Sequence, residues 1–133
     1  MNADINIQPM RRDSTPPSIK GGLPAWRIRC ILSHIEQNIE NPIRVADLAR
    51  VAKISSSHLS REFKRSLGFT LHRYIMQKRV EKARRLMLST SEGLSIIAST
   101  CGLCDQAHLT RAFRRIVGDA PGRWRRAQTG MAV

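Results

Sequence analysis

The pattern of apolar positions predicts helices along most of the chain. Within several stretches apolar residues recur three and four positions apart, which places them on one face of an α-helix. The clearest such faces are Leu59, Phe63 and Leu67 in one stretch, and Leu109, Phe113, Ile116 and Val117 in another. No stretch reads as a credible strand. The pattern therefore predicts an all-α protein.

About seven helices follow from these faces and from the residues that flank them. Ser55 and Asp105 are good N-caps, Gly68 and Gly118 are good C-terminal stops, and Asn41-Pro42 ends the first helix because proline disfavours a helical residue before it. We predict helices over about 26–40, 45–52, 56–67, 71–88, 94–101, 105–117, and a short last one from Pro121.

One stretch occurs twice. LARVAKISSSHLSREFKRSLG, from Leu48 to Gly68, returns as IASTCGLCDQAHLTRAFRRIVG, from Ile97 to Gly118. The two copies align at an offset of 49 and, after one inserted residue, at an offset of 50. A short helix, a turn and a second amphipathic helix indicate a helix-turn-helix unit. The chain thus contains two such units, joined by a long linker helix.

The turns of the two units differ at one position. Gly102 in the second copy suits a tight turn, since glycine accepts positive φ without steric penalty. The first copy has Lys53 at that position, which implies either backbone strain or a different turn.

Composition shifts divide the chain into three parts. Residues 1–24 are rich in proline and glycine without a sustained period, so we predict a flexible leader. Residues 25–127 form the folded domain, and residues 128–133 are expected to be a frayed tail.

The positive charge of the chain indicates that its binding partner is an extended polyanion. The 133 residues carry a formal net charge of +13, of which +12 lies from Arg27 onward, within the folded part. No membrane span, apolar signal core or catalytic constellation is evident, so we predict neither an enzyme nor a membrane protein. Three cysteines and no secretory leader indicate a reducing compartment, the cytoplasm.

The polar faces of the two second helices are strongly basic. A merely solvated face would mix signs, whereas the first has Glu62 as its only acid and the second has only Asp105, at the helix start. Off the apolar stripes lie Ser57, Ser60, Arg61, Lys64 and Arg65 in the first copy, and Gln106, His108, Arg111, Arg114 and Arg115 in the second. These faces indicate nucleic-acid binding.

The chain resembles the DNA-binding domain of the AraC/XylS family of bacterial transcription regulators. The resemblance runs from about Ile28 to Arg126 and rests on the two repeated units, on YIMQKRVEKARRLM between them, and on the terminal G-x-x-P. In length and layout the chain is similar to the small single-domain activators of stress and multidrug-resistance genes. The resemblance implies a nucleoid-associated activator that binds double-stranded DNA as a monomer, with its recognition helices in adjacent major grooves, and contacts RNA polymerase.

The family's base-reading positions carry over to seven residues of this chain: Ser57, Ser60, Arg61, Gln106, Ala107, His108 and Arg111. Arginine pairs with guanine and glutamine with adenine, so we expect more direct readout from the second unit. The remaining basic residues, Lys64, Arg65, Arg114 and Arg115, are better placed for phosphates.

Cys101, Cys104 and His108 have a spacing that suggests a metal or redox site. A structural zinc site needs four ligands, and no fourth is in sequence range, although Cys30 could approach in the fold. Cys101 falls where a small apolar residue is expected, so a core thiol is favoured and we predict no metal and no cofactor. We expect Trp26 and Trp124 to seal the two ends of the core.

Two other functions fit the same sequence. A non-specific architectural DNA binder would show the same net charge. A truncated regulator without its sensing domain would compete for promoter sites. The duplicated recognition faces favour a sequence-specific transcription regulator.

Overall fold

The computed structural model describes residues 22–131 of the chain. These residues form seven α-helices and no strand. The predicted all-α fold is confirmed. The helices are α1 Ala25–Gln37, α2 Val45–Ala52, α3 Ser56–Leu67, α4 Leu71–Ser89, α5 Leu94–Thr100, α6 Gln106–Val117 and α7 Pro121–Met131. No helix in this range combines the length and apolar character needed to cross a bilayer.

The two ends of the helical region differ from the prediction. The first helix ends at Gln37, three residues before the predicted Glu40, because the chain turns there with the Asn41 N–H donating to Asn38 O. The last helix continues through residues 128–131, which we expected to be frayed, and Thr129 Oγ1 donates to Arg125 O within it. Residues 1–21 of the predicted leader and residues 132–133 of the predicted tail lie outside the described residues.

The chain divides into two compact units. Among the described residues the first comprises 22–34 together with 44–71, and so contains α2 and α3. Its buried apolar side chains include Ile31, Leu48, Leu59 and Phe63. Arg27 Nε donates to Ala52 O at 2.7 Å, which ties α1 to the C-terminal end of α2. Trp26 does not seal this core, since 42% of its surface is exposed and Arg27 lies over its ring.

The second unit comprises residues 35–43 and 72–131, and so contains α5, α6 and α7. Its core consists of Met76, Val80, Ala83, Met87, Ile97, Ala98, Cys101, Leu103, Leu109, Ala112 and Phe113. Trp124 packs against this core with its ring edge-on to Phe113, the centroids 5.5 Å apart. The predicted position of Trp124 at the core is therefore confirmed.

Arg125 holds α7 against the connection between α4 and α5. Its guanidinium donates to three backbone carbonyls: Nε to Met87 O at 3.0 Å, Nη2 to Thr90 O at 2.7 Å and Nη1 to Glu92 O at 2.7 Å. The C-terminal carbonyls of a helix lack partners within the helix and carry partial negative charge. A planar cation with five N–H donors therefore suits this position.

Lys53 is the one non-glycine residue with positive φ among residues 22–131. It follows α2 with φ 60° and ψ 44°, the left-handed conformation that Gly102 adopts in the second unit at φ 81°. The backbone strain implied by the sequence is therefore present. Its side chain is exposed, so the strain is not offset by burial.

Lys53→Gly is expected to stabilise the protein by about 0.5–1 kcal/mol, because relief of left-handed strain exceeds the entropy that glycine adds to the unfolded chain. Urea denaturation measures the change. Lys53→Ala removes the same charge and keeps the strain, so it should show no gain. A glycine variant no more stable than the alanine variant would contradict the strain assignment.

Candidate nucleic-acid interface

Local capping fixes where α3 begins and ends. Ser55 is the N-cap, and its Oγ accepts the His58 N–H at 3.2 Å. Gly68 ends the helix in the left-handed conformation, with its N–H donating to Lys64 O. Because Leu59 and Phe63 are fully buried on one side, the opposite side of α3 faces outward. Both caps are as predicted.

The second unit builds α6 by the same means. Asp105 Oδ1 accepts the His108 N–H at 2.8 Å, and Gly118 ends the helix at φ 96°. Leu109 and Phe113 are fully buried, at the repeat positions of Leu59 and Phe63. The two helices therefore present corresponding outward faces, each within its own unit.

Ten of the eleven predicted contact residues have exposed side chains. They are Ser57, Ser60, Arg61, Lys64 and Arg65 on α3, and Gln106, Ala107, Arg111, Arg114 and Arg115 on α6. His108 is half-buried. Its Nδ1 accepts the backbone N–H of Cys104 at 3.2 Å, so one edge of the ring is engaged in the turn before α6.

Most of the cations on these faces have no counter-ion among the described residues. Arg65 lies 3.8 Å from Glu62, at the far edge of ion-pair distance, with its own side chain about half exposed. No ion pair with any of residues 22–131 is formed by the other five: Arg61, Lys64, Arg111, Arg114 and Arg115. Their charges are available to an external anion.

Both units share the basic character. Within residues 22–131, the first unit has eight Lys and Arg against two acids and the second has twelve against six, so each has an excess of six positive charges. A polyanion would therefore be attracted to either unit.

Glu62 does not lie on the exposed face, contrary to the prediction. The residue is only 7% exposed, and its Oε1 has no hydrogen-bond partner in the part of the chain that the structure describes. Its repeat counterpart is Ala112, a core residue, which is the signal in the sequence that would have indicated burial. The outward face of α3 consequently holds no acid.

The three cysteines occupy different environments. Cys101 is fully buried, as predicted for a core thiol, and burial raises its pKa to about 11. Cys104 is exposed and Cys30 is half-buried. Among residues 22–131 there is no group of three or more His, Cys, Asp or Glu side chains that could hold a metal ion.

Two structural arginines were missed by sequence reasoning, Arg125 and Arg79. Arg79 is 9% exposed and donates to Ile39 O at 3.1 Å and to Asn41 O at 2.7 Å. A Cβ added at Gly102 would lie 3.0 Å from Arg79 Nε, so the turn at Gly102 passes close to this guanidinium. Since the acceptors are backbone carbonyls, no side chain in the sequence identifies them.

Comparison with known proteins agrees with this geometry. A family profile described as a helix-turn-helix domain matches residues 48–127, more than half of the chain. LumQ, a probable transcriptional regulator of Photobacterium leiognathi, is 36% identical over 92 residues, which are 69% of this chain and 37% of LumQ. The chain thus spans well under half of that relative.

Solved structures show the same fold. A transcriptional regulator from Chromobacterium violaceum, described among AraC-type DNA-binding domain-containing proteins, is 31% identical with a TM-score of 0.71, covering 78% of this chain and 92% of that one. The DNA-binding domain of AdpA, crystallised with a target DNA, is 25% identical with a TM-score of 0.69, covering 77% of this chain and 94% of that one. With its two helix-turn-helix units and these matches, the chain belongs to the AraC-type family of helix-turn-helix transcription regulators.

Proposed function

We propose that this chain binds double-stranded DNA sequence-specifically and regulates transcription. The observation that carries the proposal is the repeated, capped helix with an exposed arginine at the same repeat position, Arg61 in α3 and Arg111 in α6, neither with a counter-ion among the described residues. The AdpA domain, a structural neighbour, was crystallised with a target DNA, which supports the same partner here.

Base readout and phosphate binding are assigned to different residues. Arg61 and Arg111 are long enough to donate twice to guanine O6 and N7, and Gln106 pairs with adenine. Ser57, Ser60 and Ala107 have short side chains, so they contribute contacts with thymine methyl groups and water-bridged hydrogen bonds. The four exposed cations further along the two helices, Lys64, Arg65, Arg114 and Arg115, bind phosphates and set the register.

The binding mode is a monomer with α3 and α6 in successive major grooves. The 19 residues of α4 make a rod of about 28 Å, which suits a linker between helices that enter grooves about 34 Å apart. We propose further that the protein acts without enzymatic activity in the bacterial cytoplasm, on the nucleoid, and that it activates transcription by contacting RNA polymerase.

The test is selection of duplexes from a random pool, followed by titration of the selected site and a scrambled duplex at several salt concentrations. One asymmetric site with two motifs about one helical turn apart is the expected result. Equal affinities and equal salt slopes for both duplexes would overturn sequence-specific DNA binding and favour a non-specific architectural DNA binder. Binding without increased transcription from a promoter that contains the site would favour a competitor over an activator.

Arg111→Ala is expected to weaken binding to the selected site about 10- to 100-fold and to relax base preference in one motif only. Arg61→Ala should relax the other motif. Arg114→Ala should instead weaken both duplexes alike and reduce the salt slope by about one. Arg85→Ala, which removes an exposed charge from α4, is the control for net charge. Equal effects of Arg111→Ala and Arg85→Ala on the two duplexes would contradict the assignment.

A further inference from the structure

The inserted residue of the second repeat is Cys104. The backbone hydrogen bond that closes the turn is the same in both units. The Ile54 N–H donates to Ala49 O at 3.0 Å, and the Leu103 N–H donates to Ala98 O at 2.9 Å. In the first unit the N-cap Ser55 follows directly. In the second unit Cys104 intervenes before the N-cap Asp105, and its additional backbone N–H is available to donate to a nearby acceptor.

His108 supplies that acceptor. Its Nδ1 accepts the Cys104 N–H at 3.2 Å, while its own backbone N–H donates to Asp105 Oδ1 at 2.8 Å. The ring and the backbone of this residue are thus both bonded to the turn that precedes α6. The ring is therefore fixed in place at the first turn of the helix.

The Cys104 bond also fixes the tautomer. A neutral imidazole has one N–H and one acceptor nitrogen, so a ring that accepts at Nδ1 carries its proton on Nε2. The nitrogen left over is a hydrogen-bond donor. His58, at the same position in the first unit, is exposed, and its ring has no hydrogen bond to any residue in the described range. Its tautomer is not set in this way.

We propose that His108 reads purine N7 in the major groove through this fixed Nε2–H donor, an inference that rests on the DNA binding proposed above. N7 is the acceptor that adenine and guanine share, so one donor selects purine over pyrimidine without distinguishing the two purines. Arg111 lies three residues further along α6, on the neighbouring part of the same face, and reads an adjacent base. His58, with no fixed donor, confers no such preference on the first motif.

Two variants separate the two edges of the ring. In His108→Asn the amide oxygen takes the place of Nδ1 and still accepts the Cys104 N–H, but the Nε2–H donor is lost. In His108→Gln the amide nitrogen takes the place of Nε2 and keeps the donor, but the bond to Cys104 is lost. His58→Asn and His58→Gln are the matched controls in the first unit.

The measurements are thermal unfolding and a base-preference profile across the selected site. We expect His108→Asn to unfold like the unsubstituted protein, while its affinity falls about tenfold and one position of the second motif loses its purine preference. We expect His108→Gln to keep the preference and to unfold at a lower temperature. An unchanged base-preference profile for His108→Asn overturns the proposal. A preference of the unsubstituted protein for pyrimidine at that position also overturns it.

A second arm identifies the acceptor atom on the DNA. Replacing the purine by its 7-deaza analogue should weaken binding as much as His108→Asn does, and the two changes together should add no further loss. In a further duplex, one DNA phosphate is replaced by a neutral methylphosphonate. If this replacement cancels the effect of His108→Asn and the deaza base does not, the donor binds a phosphate and the purine assignment is overturned. If the unsubstituted protein selects no site at all, the proposed function itself fails, and the two failures remain distinguishable.

Discussion

Gly102→Ala is expected to destabilise the protein by about 2.5–5 kcal/mol. The residue has φ 81°, and a Cβ there would overlap with Ile39 O and lie 3.0 Å from Arg79 Nε. Left-handed strain accounts for about 1–2 kcal/mol. The remainder follows because the new methyl group separates two atoms that form a charge-assisted hydrogen bond, which contributes about 1.5–3 kcal/mol.

Gly118→Ala and Gly68→Ala are the controls for this prediction. Both glycines have left-handed φ, and a Cβ at either meets nothing within 4 Å, so these variants should show the strain alone. Urea denaturation of the three variants gives the comparison. A Gly102→Ala variant as stable as Gly118→Ala would mean that the turn moves away from Ile39 without penalty.

Arg79→Met is expected to destabilise the protein by about 2–4 kcal/mol. Two charge-assisted bonds are lost, and the carbonyls of Ile39 and Asn41 are left without this donor. Removing a buried cation offsets part of that loss, since desolvation already lowers the pKa of Arg79 below its usual value. The two lost bonds are the larger effect because each involves an ionised donor.

Lysine should not replace Arg79, because an ammonium lacks the planar fork that reaches both carbonyls. We expect Arg79→Lys to lose at least half as much free energy of unfolding as Arg79→Met. Arg85→Met is the control on the same helix, at an exposed position, and should change the stability by no more than about 0.5 kcal/mol. Equal stabilities of Arg79→Met and Arg85→Met in thermal or urea unfolding would contradict the role of the buried guanidinium.

Local signals in the sequence were enough to predict the helices that carry the candidate interface. Ser55 and Asp105 cap α3 and α6, and Gly68 and Gly118 end them, because capping depends on residues within one turn of the helix end. The outward exposure of ten contact residues followed from the apolar stripes alone. Their roles on DNA remain predictions.

Features that depend on the third dimension were not predictable in this way. The bonds of Arg79 and Arg125 end on backbone carbonyls about forty residues away in the chain, which have no signature in the sequence. The exposure of Trp26 depends on how closely α1 packs, which its apolar character does not reveal. By contrast, the burial of Glu62 and the bond from Cys104 to His108 leave traces in the repeat, as a mismatch with Ala112 and as an inserted residue.

The carbonyl acceptors of Arg125 have a consequence for sequence divergence. A backbone carbonyl is present whatever side chain its residue carries, so Thr90 and Glu92 can change without removing an acceptor from the guanidinium. The Glu92 side chain is also exposed, so packing places little restriction on it, whereas Thr90 Oγ1 donates to Leu86 O and accepts the Glu92 N–H. The surface of this connection can therefore drift over evolutionary time while its backbone path stays fixed, provided that position 125 remains arginine and position 90 keeps a hydroxyl.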